Sequence, residues 1–78
     1  MQSTPAAREA HATQRLLRLP EVQRLTGLGR SSIYEQIRAG RFPRAVPLTT
    51  TARAWRADEI ATWVDERTAE RDAKSGAP

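Results

Sequence analysis

Six polar residues fall within one short stretch of the chain: Arg30, Ser31, Ser32, Tyr34, Glu35 and Arg38. A guanidinium offers a planar fork of donors that matches a phosphate or the edge of a guanine, and a serine hydroxyl donates to phosphate. Tyr34 suits a backbone contact, and a carboxylate such as Glu35 accepts from the exocyclic amine of a cytosine. The chemistry these types define is hydrogen-bonding recognition of a polyanion, with no bond made or broken. Nothing elsewhere supplies catalysis. The chain has no cysteine and one histidine, His11, with no metal-ligating neighbour, so thiolate, zinc-finger and disulfide chemistry are excluded. The adjacent pairs Asp58-Glu59 and Asp65-Glu66 would splay around a helix as a solvated face and would not converge as a catalytic dyad. No enzyme, metal, cofactor or small-molecule ligand is expected.

The spacing of apolar residues sets the elements that must carry this cluster. Pro20 suits the first turn of a helix, and Val22 and Leu25 recur at i, i+3 before Thr26-Gly27-Leu28-Gly29 ends it. A second helix beginning near Arg30 turns Ile33 and Ile37 inward toward Val22, Leu25 and Leu28, and Gly40 stops it. Two helices this short, joined by a glycine-containing turn, form a helix-turn-helix unit whose second helix enters a DNA groove. With the isoleucines inward, Arg30, Ser31, Ser32, Glu35 and Arg38 face solvent and Tyr34 lies at the boundary. The expected N-caps are poor, Leu19 before the first helix and Gly29 before the second. The uncapped amides of the second helix, with Arg30, Ser31 and Ser32, make an anion site.

With 78 residues the chain has room for one domain with one small core. Positive charge is segregated: from Arg15 to Arg56 there are nine arginines against Glu21 and Glu35, whereas from Ala57 onward three bases face six acids. A polyanion-binding surface requires such a division, although a GC-rich genome would favour arginine by itself. Residues 1–14 are polar and aperiodic and read as a disordered tail, residues 15–71 as the domain, and residues 72–78 as a second disordered tail. No leader-like apolar core and no membrane-spanning run is evident, so an intracellular, cytoplasmic protein is expected.

Arg15 to Leu19 leads into the first helix, with Leu17 and Leu19 as core anchors and room for a short extended segment. Phe42 is placed at the base of the core. Residues 44–56 read as a small β-hairpin, with Val46 and Leu48 on one side, Pro47 restricting the first strand to an edge, and Thr49, Thr50 and Thr51 forming a loose tip. As a wing, the hairpin would bring Arg44, Arg53 and Arg56 to the DNA backbone or minor groove; as an ordinary hairpin it would simply be solvated. Asp58 and Glu59 mark the start of a last helix, where Ile60, Trp63, Val64 and Arg67 form an amphipathic stripe. Trp63 is placed in the core with Trp55 and Phe42. The expected fold is mainly α with a small β-hairpin: a winged helix-turn-helix of three helices plus wing.

Five motifs together carry a resemblance. They are Leu17-Arg18-Leu19-Pro20-Glu21-Val22, Thr26 to Tyr34, Gly40-Arg41-Phe42-Pro43, Trp55, and Glu59 to Val64. The set resembles the AlpA-type and excisionase-like small DNA-binding proteins of phages and mobile elements, over about residues 15 to 71. Gly29 replaces the usual serine, and three threonines replace a glycine-rich wing tip. The resemblance implies a MerR-like winged helix-turn-helix acting on double-stranded DNA, with Arg30, Ser31, Ser32, Tyr34, Glu35 and Arg38 as recognition-helix contacts and Arg53 as a wing contact. It implies a transcriptional regulator or an excisionase that bends attachment-site DNA and works with an integrase. So small a reader needs a homodimer or head-to-tail neighbours for useful specificity, and the acidic last helix is one surface for such contacts. A helix-turn-helix used only for protein interaction remains the alternative of another class.

Overall fold

The computed structural model describes residues 15–75. The expected N-terminal tail with His11, and the last three positions of the expected C-terminal tail, lie outside the described residues. The order of elements is β1 (Leu16–Leu17), α1 (Leu19–Thr26), α2 (Arg30–Arg38), β2 (Val46–Pro47), β3 (Arg53–Arg56) and α3 (Ala57–Ser75). The three strands make one antiparallel sheet in the order β1-β3-β2, with Leu17 opposite Trp55 and Val46 opposite Ala54. This is the winged helix-turn-helix arrangement. The short extended segment at Leu16–Leu17 is its third strand, and the backbone N–H of Ala57 donates to Arg15 O at 2.6 Å to tie it to the start of α3.

Six side chains form the core: Leu17, Val22, Ile33, Phe42, Trp55 and Ile60. Each comes from a different segment: the three helices, β1, β3 and the loop after α2 each give one anchor to a single cluster, and β2 gives none. Leu25, expected beside Val22, is instead half exposed, at 51%. Helical neighbours at i+3 and i+4 lie about 60° and 40° to opposite sides of Val22, and of Leu25 and Thr26 only one turns toward the buried face here. Thr26 takes it, because its hydroxyl donates to Val22 O at 2.8 Å and accepts from Leu28 N at 3.3 Å. Leu48 is likewise exposed and does not join Val46 on a buried side. The cap position of α1 falls on Arg18 rather than Leu19, which is the first helical residue, and no side chain caps it.

Two glycines end the helices in the left-handed region. Gly27 (φ 76°) closes α1 with its N–H on Gln23 O. Gly40 (φ 75°) closes α2 in a Schellman arrangement, with Gly40 N on Ile37 O and Arg41 N on Gln36 O. A Cβ at Gly27 would meet nothing within 4 Å, so its replacement carries a purely conformational cost. Gly27→Ala should therefore destabilise the domain by about 1–2 kcal/mol, read as a lower Tm with unchanged circular dichroism of the folded state.

The loop after α2 is held by both tryptophans. Trp55 Nε1 donates to Pro43 O at 3.0 Å and Trp63 Nε1 to Arg41 O at 2.8 Å, with the buried Phe42 between them. Trp63 is half-buried, and its partner is the Phe42 ring at 5.1 Å, edge to face. Trp55 instead meets Tyr34 of α2 in an edge-to-face pair, ring centroids 6.3 Å apart. The aromatic cluster expected of Trp55, Phe42 and Trp63 is thus two edge-to-face pairs. The last helix continues through Asp72 to Ser75, beyond the expected fraying point at Arg71, with Arg67 bonded to Glu70 one turn on.

Candidate nucleic-acid interface

Because α2 is anchored from behind, its outer face is fixed. Ile33 is fully buried, Ile37 is half-buried against the core, and Tyr34 rests on Trp55. That leaves Arg30, Ser31, Ser32, Glu35 and Arg38 exposed on one side, as the apolar spacing requires. Arg30, Ser31, Tyr34, Glu35 and Arg38 line a shallow concavity on this face. The guanidinium of Arg30 lies over the Tyr34 ring at 5.5 Å, a stacking contact that limits its freedom and aims it outward. No side chain caps the amides at the start of α2, where Gly29 is extended (φ −79°, ψ 169°). These free donors, the positive end of the helix and the two serines share one location.

The wing is more ordered than its composition suggests. Thr49 Oγ1 accepts from the backbone N–H groups of Thr51 and Ala52, at 3.3 and 3.0 Å, and Leu48 N donates to Ala52 O at 2.8 Å. The Thr49 hydroxyl therefore closes the tip by side chain-to-backbone bonds, with no residue of the tip at positive φ. Arg44 and Arg53 are exposed. Arg18, which carries no expected DNA contact, donates through Nε to Arg53 O at 3.1 Å and so lies beside the wing. Only the register of β1 against β3 reveals this neighbour, 35 residues away in sequence.

Arg56 stands apart from the other candidates. Its Nε and Nη2 both bond the Asp58 carboxylate, at 3.1 and 2.8 Å, across the junction of β3 and α3. The hydrogen bonds from Arg56 hold the Asp58 carboxyl below its ordinary range, and those bonds together with the facing charge raise the Arg56 guanidinium. A carboxyl depressed on folding stabilises the fold above its unfolded pKa, near pH 4, and that contribution disappears as pH falls through the lower folded value. Wild type should therefore melt above Asp58→Asn at neutral pH, and the two curves of Tm against pH should converge as pH falls below the ordinary carboxylate range.

Among the described residues no group of three or more His, Cys, Asp or Glu side chains is placed to hold a metal ion, and no helix is long and apolar enough to cross a membrane. What remains is an arginine- and serine-bearing helix face beside a basic wing, the layout of a winged helix-turn-helix regulator. Within that class the chain belongs to the family of the prophage CP4-57 regulatory protein AlpA, which it matches over residues 15–68. It is 48% identical over 58 residues to the uncharacterized protein ORF88 of Enterobacteria phage P4. That alignment covers 74% of this chain and 66% of the phage protein, so the chain spans a little under two thirds of that relative's length.

Proposed function

We propose that this protein is a sequence-specific regulator that binds double-stranded DNA of a phage or mobile element. The observation that carries the reading is the exposed α2 face, in which Arg30, Ser31, Ser32, Glu35 and Arg38 are presented together by a helix anchored through Ile33 and Tyr34. In this reading α2 lies in the major groove, where Arg30 or Arg38 reads guanine, Glu35 accepts from cytosine, and Tyr34 touches the backbone. The amides at the start of α2, with Ser31 and Ser32, take a phosphate, and Arg44 and Arg53 clamp the strand beside the wing. Arg56 supports the wing through Asp58 and contributes long-range charge. One copy reads few base pairs, so occupancy of repeated sites by a dimer or by head-to-tail neighbours supplies the remaining specificity.

The test is enrichment of sheared source-genome DNA on the purified protein at about 150 mM salt, followed by sequencing. Short repeated sites at a promoter support the regulator. With about four phosphate contacts, log affinity should fall against log salt with a slope of about −3 to −4. Absence of any enrichment would defeat DNA binding and leave a protein-interaction module.

One observation favours a second reading, an excisionase that bends attachment-site DNA together with an integrase. Pro47 and Leu48 are exposed at the wing, Leu48 at 43%, on a loop fixed by Thr49. Apolar side chains so placed wedge between base steps and kink a duplex toward the major groove. Under this reading Leu48→Ala should keep most of the affinity and lose the bend, measured by energy transfer across an end-labelled site. A wild-type complex with straight DNA would remove the second reading.

A further inference from the structure

On the far side of α2 from the arginine face, a groove runs between the loop after α2 and the last helix. Its floor is apolar, made by the rings of Phe42 and Trp63 with Pro43. Along its α3 wall stand Asp58, Glu59, Glu66 and Glu70, against only Arg41 and Arg67. Two of the acids are already engaged, Asp58 with Arg56 and Glu70 with Arg67, whereas Glu59 and Glu66 have no ion partner among the described residues. Glu59 and Glu66 are two turns apart on the same helix face, about 10 Å, and Trp63 lies between them. The groove is therefore an acidic, aromatic-floored slot on a protein whose net charge is +4.

We infer that this groove docks a basic segment of a partner protein, in which an apolar side chain sits between two lysines or arginines about 10 Å apart. The apolar side chain fills the space over Phe42 and Trp63, and the two cations meet Glu59 and Glu66. The floor is preformed, because both tryptophans bond the carbonyls of the loop that carries Phe42. Arg67 lies across the Trp63 ring at 5.1 Å and is held there by an exposed bond to Glu70. Its Nε is buried without an acceptor, so swinging the side chain aside loses no hydrogen bond at that atom and widens the floor. Position favours a second protein over a second copy. Gln36, on the groove side of α2, is about 160° around the helix from Arg38 and about 120° from Arg30, so the slot stays open while those arginines are engaged. Of the exposed bases away from α2 and the wing, Arg24 is already paired with Glu21 and Arg71 with Asp72, which lessens what a second copy can offer the slot.

The test needs no DNA, so its outcome is separable from that of the DNA-binding reading. Nitrogen-15-labelled full-length chain is titrated with an alanine-rich helical peptide of about 16 residues, carrying two arginines about seven positions apart and a leucine between them. The expected result is saturable shifts of the Thr62, Trp63 and Glu66 amides and of the Trp63 indole N–H. Glu66→Lys should weaken binding about fivefold and Glu59→Lys/Glu66→Lys about tenfold or more, with the dispersed spectrum of a folded chain retained. The single variant serves if loss of Glu59 frays the start of α3. A peptide with glutamates in place of the arginines should not bind. Equal binding of that control, or shifts centred on Arg30 and Arg38, would overturn the inference. Shifts at Trp63 and Glu66 that depend on protein concentration without peptide, and that Glu66→Lys abolishes, would assign the groove to a second copy and overturn the partner assignment.

Discussion

Replacing Arg30 and Arg38 together by alanine should lower affinity for the preferred duplex by about 100-fold or more and leave the fold intact. The two guanidiniums are the groups on the α2 face able to make bidentate contacts to guanine, each worth about 1–3 kcal/mol of discrimination, and tenfold in affinity corresponds to about 1.4 kcal/mol. Both side chains are exposed, so stability should change by no more than about 0.5 kcal/mol apart from the loss of Arg30 stacking over Tyr34. Fluorescence anisotropy on the enriched site and on a scrambled duplex, with melting curves alongside, separates these effects. Lysine substitutions sharpen the test. Arg30→Lys/Arg38→Lys keeps the charge and the non-specific, salt-dependent binding, but a lysine cannot present the planar fork. Its affinity for the two duplexes should therefore converge. If the lysine variant discriminates as well as wild type, α2 does not read bases through these arginines.

The inward half of this helix was legible from Ile33 and Ile37 alone, because a nine-residue helix with two apolar residues at i, i+4 has only one way to turn. The turn glycines and Phe42 were legible for similar reasons, each set by one local requirement. Leu25 was not, since the choice between Leu25 and Thr26 depends on a hydroxyl bonding within its own helix, which hydrophobic spacing does not register. Nor was the role of Leu16–Leu17, a two-residue strand whose pairing with Arg56 and Trp55 is decided 40 residues later in the chain. Among the candidate contacts, sequence type did not separate Arg53 from Arg56. They differ only because Asp58, at the start of α3, falls within reach of one of them. The acidic groove was invisible for a different reason: Phe42 and Trp63 were expected together inside the core, whereas Trp63 is half-buried and lines a groove walled by the acids of α3.

Trp55→Ala should leave the chain largely unfolded at room temperature. Trp55 is 0% exposed and sits in the central strand, so its removal opens the one core on which all three helices are anchored. Truncation of a buried tryptophan costs about 3–5 kcal/mol, and the Pro43 carbonyl loses its donor as well. A domain of some 60 residues has only about 3–9 kcal/mol of total stability to set against this. Far-UV circular dichroism at 25 °C should show most of the helix signal gone. Trp55→Phe keeps much of the apolar volume and removes the indole donor, so it should cost about 1–2 kcal/mol and lower Tm by several degrees. Trp63→Phe loses an equivalent bond to Arg41 O, but at a half-buried site, and should cost less than Trp55→Phe. The order of the three variants is the informative result, because it ranks the loop anchors by burial. The Trp55 ring also supports Tyr34, so Trp55→Phe should weaken DNA binding more than Trp63→Phe does at temperatures where both remain folded. Equal binding by the two would mean that Ile33 alone fixes the pose of α2, and that the aromatic contact behind Tyr34 serves the core without serving recognition.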